Sequence, residues 1–347
     1  MTSPPSVTVI GAGVFGLASA FAMARRGARV TVIEERCVGA GSSGGHVGAL
    51  APHAPENWNE KKALQLDSLL AAQAFWADVA AISGRDPGYA RLGRLQPVPD
   101  AAAADRLAAR IEAARLRWPA DCGMSLTDRP ESALVPDSPS GLWLHDALTA
   151  RLSPRAACAA LAGALDALGA RIEEGRRADP DSIDGPALWA CGTPGLLRLN
   201  VDLGRKVGQG VKGQSALLAF AAPDSPQVFA DGLHIVPHAD GTTAIGSTSE
   251  NSYDYDRPDD QVLALVERAR AICPALGDAP VIDTWAGLRP RAQSRAPVLA
   301  PWPGRPGHLI ANGGFKIGFG MAPLIADLAA RALLDGAADL PALFALP

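Results

Sequence analysis

The chain is short of the features that mark most specialised classes. Its 32 lysines and arginines stand against 36 aspartates and glutamates, a net charge of −4. Without a basic excess there is no electrostatic footprint for a nucleic-acid partner. The five cysteines, Cys37, Cys122, Cys158, Cys191 and Cys273, form no CxxC pair and no metal-ligand spacing. An odd, scattered set reads as reduced thiols of a cytoplasmic protein, and no metal is expected. The apolar stretch near the start is broken by glycines, so no membrane insertion is expected. Met1-Thr2-Ser3-Pro4-Pro5 has neither a basic leader nor a cleavage motif. Internal repeats and low-complexity linkers are also missing. What remains is 347 residues with 48% hydrophobic and 20% charged side chains. That is the composition of a packed globular chain of two ordinary domains or one large one.

The first 34 residues carry the clearest pattern. A β-branched run at residues 6–10 is followed by a glycine turn, a helix from about Val14 to Arg26, and a second strand at 29–34. Between strand and helix lies Gly11-Ala12-Gly13-Val14-Phe15-Gly16, a G-x-G-x-x-G fingerprint. Gly11 suits the tight turn, Gly13 lets backbone approach a pyrophosphate, and Gly16 lets helix and strand pack closely. The helix N-terminus offers unpaired N–H groups to phosphate, and Glu34 is placed to accept from an adenosine ribose. This fingerprint serves NAD and FAD alike. The run that follows, Gly39-Ala40-Gly41-Ser42-Ser43-Gly44-Gly45-His46-Val47-Gly48-Ala49-Leu50, replaces the next helix and strand of a nicotinamide enzyme and favours FAD.

Further along, helices are expected at Glu60–Ala81, 101–117, 152–168 and 259–272, and from Pro323 to Leu334. Strands are expected at 94–98, 170–173, 187–190, 214–221, 227–237, 242–247 and 308–311, with a hairpin turn at Asp240-Gly241.

With these segments in place, the sequence resembles the D-amino-acid oxidase superfamily, in particular its glycine oxidase and sarcosine oxidase branch. The shared stretches are the fingerprint, the Gly/Ser run ending Val47-Gly48-Ala49-Leu50, and Ala190-Cys191-Gly192. They continue through Val211-Lys212-Gly213-Gln214, His234-Ile235-Val236-Pro237, Trp285-Ala286-Gly287-Leu288-Arg289-Pro290 and Gly313-Gly314-Phe315-Lys316-Ile317-Gly318. The Trp285–Pro290 match is the most specific. The resemblance implies an α/β plus α+β architecture, in which an antiparallel substrate domain is inserted into a Rossmann-like FAD-binding domain. The expected division assigns residues 1–84, 141–205 and 283–347 to the FAD domain, and 85–140 and 206–282 to the substrate domain. By the same resemblance, Val14, Phe15, Glu34, Glu35, Ser42, Ser43, Val47, Gly48, Ala49 and Gly192 touch FAD beside the fingerprint glycines. The run Gly314, Phe315, Lys316, Ile317, Gly318, Phe319, Gly320 passes the flavin ring. The cysteine that carries the flavin in sarcosine oxidases has no counterpart, so the FAD is expected to be noncovalent.

The implied reaction is oxidation of the C–N bond of a small amino acid or amine to an imine, by hydride transfer to flavin. Oxygen or another electron acceptor would then take the electrons, and association into a homo-oligomer is left open. Arg289 is expected to hold the substrate carboxylate through its two-pronged guanidinium. Lys316 is either a source of positive potential near the flavin or a plain loop residue. His234 is either a hydrogen-bond partner or base for the substrate amine, or a strand histidine satisfied within the sheet. Arg291, Arg295 and the Lys316-Ile317 pair, where glycine oxidases show arginine-asparagine, suit a larger or dicarboxylic substrate. Two other readings fit this outline: oxidation of a 2-hydroxy acid or a non-carboxylate amine, and a flavoprotein without turnover.

Overall fold

The computed structural model describes residues 4–336 and 339–347. Met1–Ser3, read above for the absence of a leader, lie outside the described residues. In chain order the elements are β1 (Ser6–Ile10), α1 (Val14–Arg25), β2 (Arg29–Ile33), β3 (Ala49–Leu50), α2 (Glu60–Ser83) and β4 (Arg94–Pro97). There follow α3 (Ala101–Arg117), β5 (Met124–Thr127), β6 (Trp143–Asp146), β7 (Ala150–Arg151), α4 (Pro154–Ala167) and β8 (Arg171–Glu173). The chain continues with β9 (Ala187–Trp189), α5 (Gly192–Asp202), β10 (Gly208–Leu218), β11 (Gln227–Ala230), β12 (Leu233–Pro237) and β13 (Thr243–Gly246). It closes with α6 (Gln261–Ile272), β14 (Val281–Ala292), β15 (Val298–Pro301), β16 (His308–Asn312) and α7 (Gly318–Asp335).

Two large sheets organise these elements. The first runs β15-β16-β9-β1-β2-β8, parallel except where β15 meets β16. It is the doubly wound sheet that the fingerprint predicts. Helices α1, α2, α4 and α7 share its main core, around Leu17, Phe21, Trp76, Leu161 and Ile325. Gly16 shows why the fingerprint spacing matters: a Cβ there would lie 1.9 Å from the carbonyl oxygen of Gly11.

The second sheet, β14-β10-β13-β12-β11-β4-β6-β5, is antiparallel apart from the β11/β4 pair. Its strands alternate. Ala216, Leu218, Val228, Ile235 and Ile245 are buried in one cluster with Val262, Leu265 and Ala269 of α6. The intervening residues face the opposite way, toward the first sheet's loops. Strands β6 and β14 lie in stretches that the sequence assigned to the FAD domain, yet both pair into this second sheet.

Three local expectations need correction. The stretch 227–237 is two strands, not one, because Asp231 (φ 49°) and Gly232 (φ 76°) form a tight turn between β11 and β12. The helix expected from Pro323 begins five residues earlier, at Gly318, and carries Pro323 inside it. Burial against α1 and α2 outweighs the hydrogen bond that the proline removes. Finally, the helix expected at 152–168 begins at Pro154, and Ser153 before it makes no side-chain capping bond. No described helix is long and apolar enough to cross a membrane.

Candidate active site

A cleft opens at the carboxyl ends of β1, β2, β9 and β16, where Ile10, Ile33, Trp189 and Asn312 end or border their strands. This is the ligand crevice of an open α/β sheet. Of the residues expected at the cofactor, Gly11, Gly13, Val14, Phe15, Glu34, Glu35, Ser42, Ser43, Gly192, Gly314, Phe315 and Gly318 line it. Glu34 is held in place by its neighbours: the N–H of Ala12 donates to Oε2 (2.8 Å) and that of Arg36 to Oε1 (3.0 Å). Ser43 Oγ accepts from the Val14 N–H at the start of α1 (3.0 Å), which ties the Gly/Ser run to the fingerprint.

The other expected residues lie outside this cleft. Val47 reaches beneath the second sheet, where its Cγ2 would be 2.6 Å from a Cβ at Gly246. The Gly48 carbonyl accepts from Leu152 N–H, and Ala49 pairs with Arg151. Ile317 and Phe319 pack on the main core, and Gly320 lies against Leu69. The Ile317 and Phe319 side chains therefore point away from the cleft. Arg36, Arg176, Arg177, Trp189, Trp302 and Asn312 also line the cleft and were missed by the sequence reading. For Trp189 and Asn312 the signal was available, since both sit at strand ends of a parallel sheet.

The cleft fits an FAD dinucleotide. It joins glycine backbone that admits close approach, the N-terminus of α1, a carboxylate at the strand end and a glycine-lined far end. Among the cysteines, Cys191 borders it, but its thiol is hydrogen-bonded to the Ile10 carbonyl and burial pushes its pKa up to about 12. A thiol so held is a poor nucleophile for attaching a flavin. Glu34→Ala is expected to raise the Kd for FAD about tenfold, from the loss of charge-assisted hydrogen bonds. Equilibrium dialysis of the holoprotein measures this directly, and an unchanged Kd contradicts the role given to Glu34.

Strand register gathers the remaining candidates. Arg289 pairs across from Val211 and Gly287 from Gly213, while Ser215 faces both Trp285 and Gly246. His234 faces Gly246 on one side and Phe229 on the other. Cross-strand partners share a face, so Arg289, Gly213, Gly246, His234 and Phe229 all look the same way. It is the face met by the Gly/Ser run, because His46 Nδ1 lies 3.2 Å from Ser215 Oγ. His46 Nε2 is 3.1 Å from Asp283, so this histidine pins the run to the second sheet. His53 is satisfied by Gln65.

Arg289 is 9% exposed, and its guanidinium lies flat over Gly213. Its one hydrogen bond among the described residues goes from Nη1 to the Thr248 carbonyl (3.1 Å), and no carboxylate pairs with it. Burial lowers its pKa to about 10, so it stays charged at neutral pH.

His234 has a defined tautomer. Gln227 donates from Nε2 to the Ala150 carbonyl (3.0 Å), which turns its Oε1 toward His234 Nδ1 (3.3 Å). Nδ1 therefore carries the proton, and Nε2 is left as an acceptor. Burial first, then the charges of Arg94 and Lys316, push the pKa of His234 down to about 3. Burial that disfavours the protonated imidazole, together with the free Nε2, supports an accepting role for His234 over the base role raised from the sequence. The Phe229 ring lies against the imidazole, centroids 4.6 Å apart and planes tilted by 44°, and Arg94 pairs with buried Asp146 at 2.8 Å.

Lys316 keeps contact with solvent, and no acceptor meets its Nζ among the described residues; partial desolvation and then repulsion from Arg289 lower its pKa. Arg291 donates to Asn251 Oδ1 (2.8 Å) and stacks on Phe315. Arg295 is turned to the surface, its carbonyl taken by Lys61. Of the extra cations noted in the sequence, it is the one that leaves the group.

Residues 6–332 match the family described as DAO, FAD dependent oxidoreductase. The chain is similar to a glycine oxidase of Geobacillus kaustophilus, 27% identical over 95% of this chain and 94% of that one. It is 29% identical to a glycine oxidase of Pseudomonas putida, over 93% and 92% of the two chains. Among solved structures, glycine oxidase from Geobacillus kaustophilus covers 98% of each chain with a TM-score of 0.84 at 24% identity. An iminodiacetate oxidase from Chelativorans also covers 98% of each, with a TM-score of 0.83 at 23% identity. These two structural likenesses speak to the fold.

Proposed function

We propose that this chain, which belongs to the DAO family of FAD-dependent oxidoreductases, oxidises the C–N bond of a small amino acid or N-alkyl amino acid to an imine. The observation that carries this reading is Arg289, a buried, unpaired guanidinium on the face turned to the flavin-side loop, with a neutral histidine acceptor on the same face. FAD, held without a covalent bond, supplies the hydride acceptor. The protein's part is binding and orientation. Arg289 holds the substrate carboxylate through parallel hydrogen bonds, and His234 Nε2 accepts from the substrate nitrogen. Gly213 makes room for the Arg289 guanidinium, Gly246 for Val47 and Gly287 for the Trp285 ring. Two fixed contacts on either side of the α-carbon orient its C–H, and orientation of this kind accounts for much of a catalytic advantage. The unpaired Lys316 supports a substrate with a second acidic group.

The test is anaerobic bleaching of the flavin absorbance by D-amino acids, N-methyl and N-carboxymethyl amino acids, 2-hydroxy acids and simple amines. Bleaching by an amino acid but not by its decarboxylated amine is expected; bleaching by hydroxy acids alone overturns the proposal. His234→Gln is expected to slow reduction about tenfold, the cost of one poorly replaced hydrogen bond. The pH profile between 6 and 9 should keep its shape, because a histidine with a pKa near 3 is neutral throughout that range. A profile that loses a limb in the variant would show that His234 titrates during the reaction.

A further inference from the structure

Behind Arg289, on the opposite face of the second sheet, lies a buried polar cage. Lys212 is 1% exposed and donates to Asp259 Oδ2 at 2.6 Å, with Glu250 Oε2 at 3.6 Å. Gln214 Nε2 donates to both carboxylates, to Asp259 at 2.8 Å and Glu250 at 3.0 Å. The backbones of Lys212 and Glu250 exchange hydrogen bonds at 3.0 and 2.9 Å. Thr248 is clamped in the same cage: its hydroxyl donates to Glu250 and accepts from the Gln214 N–H (2.9 Å), and its own N–H donates to the Gln214 carbonyl (3.3 Å).

The Thr248 carbonyl is the group that receives Arg289. The cage thus fixes the one hydrogen bond that Arg289 makes, while leaving the rest of its fork free. It also carries charge: one ammonium against two carboxylates, an excess of one negative charge facing a lone buried guanidinium. A direct carboxylate partner would satisfy Arg289 but occupy the fork.

We infer that the Lys212–Glu250–Asp259 cage is a counter-charge and positioning device for Arg289, and that Glu250 sets how strongly the site attracts a carboxylate. Glu250 acts through the Thr248 carbonyl and through space, without touching substrate. The Arg289 pKa agrees in direction, since burial lowers it and Glu250 alone raises it. Asp259 is held well below the usual carboxylate range by Lys212 and then Gln214, which keeps the second negative charge in place.

The inference rests on Arg289 being the carboxylate anchor, and the experiment separates the two. Acetate is titrated into the holoenzyme and its Kd read from the flavin absorbance, for wild type, Arg289→Ala, Glu250→Gln, Lys212→Met and the Lys212→Met/Glu250→Gln pair. Retained acetate binding in Arg289→Ala overturns the anchor itself, and with it this inference. If that variant loses binding, Glu250→Gln is expected to tighten acetate about three- to tenfold, because a negative charge nearby has been removed at nearly constant shape. Lys212→Met should weaken it by a similar factor, and the paired variant should return to within about twofold of wild type. A purely structural cage would make every variant weaker. Unchanged or weakened binding in Glu250→Gln overturns the inference, even if Lys212→Met fails to fold.

Discussion

Arg289→Ala is expected to lower the rate constant for flavin reduction per substrate concentration by a hundredfold or more with an amino acid, and by little with the matching decarboxylated amine. Hydrogen bonds to charged groups contribute about 1.5 to 3 kcal/mol each, so losing a parallel pair costs at least ten- to a hundredfold in affinity. A misplaced α C–H then slows the chemistry further. Lysine restores the charge but not the fork, so Arg289→Lys should recover only part of the loss. Stopped-flow reduction of wild type and both variants, with each substrate of the pair, gives the four ratios needed. An equal loss against acid and amine would mean that Arg289 supports the fold or the flavin, and not the carboxylate.

Gly213→Ala should approach the same phenotype without removing any charge. A Cβ at this position would stand 1.5 Å from Arg289 Nη1 and 2.0 Å from Cζ, in space that the guanidinium now fills. The obstacle is the tip of a long side chain, so the backbone need not move: the guanidinium swings aside and leaves the Thr248 carbonyl. Displacement of an anchor by an ångström or more costs roughly a hundredfold in rate. Gly213 is absent from the positive-φ residues, so alanine brings no backbone strain and the melting temperature should shift little. Near wild-type reduction of the flavin by an amino acid would show that the position of the guanidinium over Gly213 is not the one used in the reaction.

The cofactor half of the molecule was legible because its signals are local. Gly11 to Gly16 and Glu34 lie within one βαβ unit, where each glycine answers a steric demand set a few residues away. The face that carries Arg289 was legible only in part. Arg289 could be picked out by resemblance, but β14, the strand that carries it, holds Gly287 and Pro290 and shows weak strand character. Asp231-Gly232 was a turn signal of the same kind as Asp240-Gly241, and it passed unread inside an apolar run. Pro323 misled in the opposite direction, because its local effect on a helix was outweighed by burial.

By itself, then, the sequence determined the dinucleotide-type βαβ unit and the change from α/β to mainly antiparallel structure, since these follow from spacing and residue type, while Arg289 was singled out by resemblance. The tertiary structure decided what those groups can do. The tautomer of His234 depends on Gln227 and, through it, on the carbonyl of Ala150. Its neutrality depends on burial and on Arg94 and Lys316, all distant in sequence. The state of Arg289 depends on Gly213 beneath it and on Thr248 and Glu250 at its back. Electrostatics and hydrogen-bond direction act through space, and only the pairing of β10, β12, β13 and β14 brings these residues within range of one another.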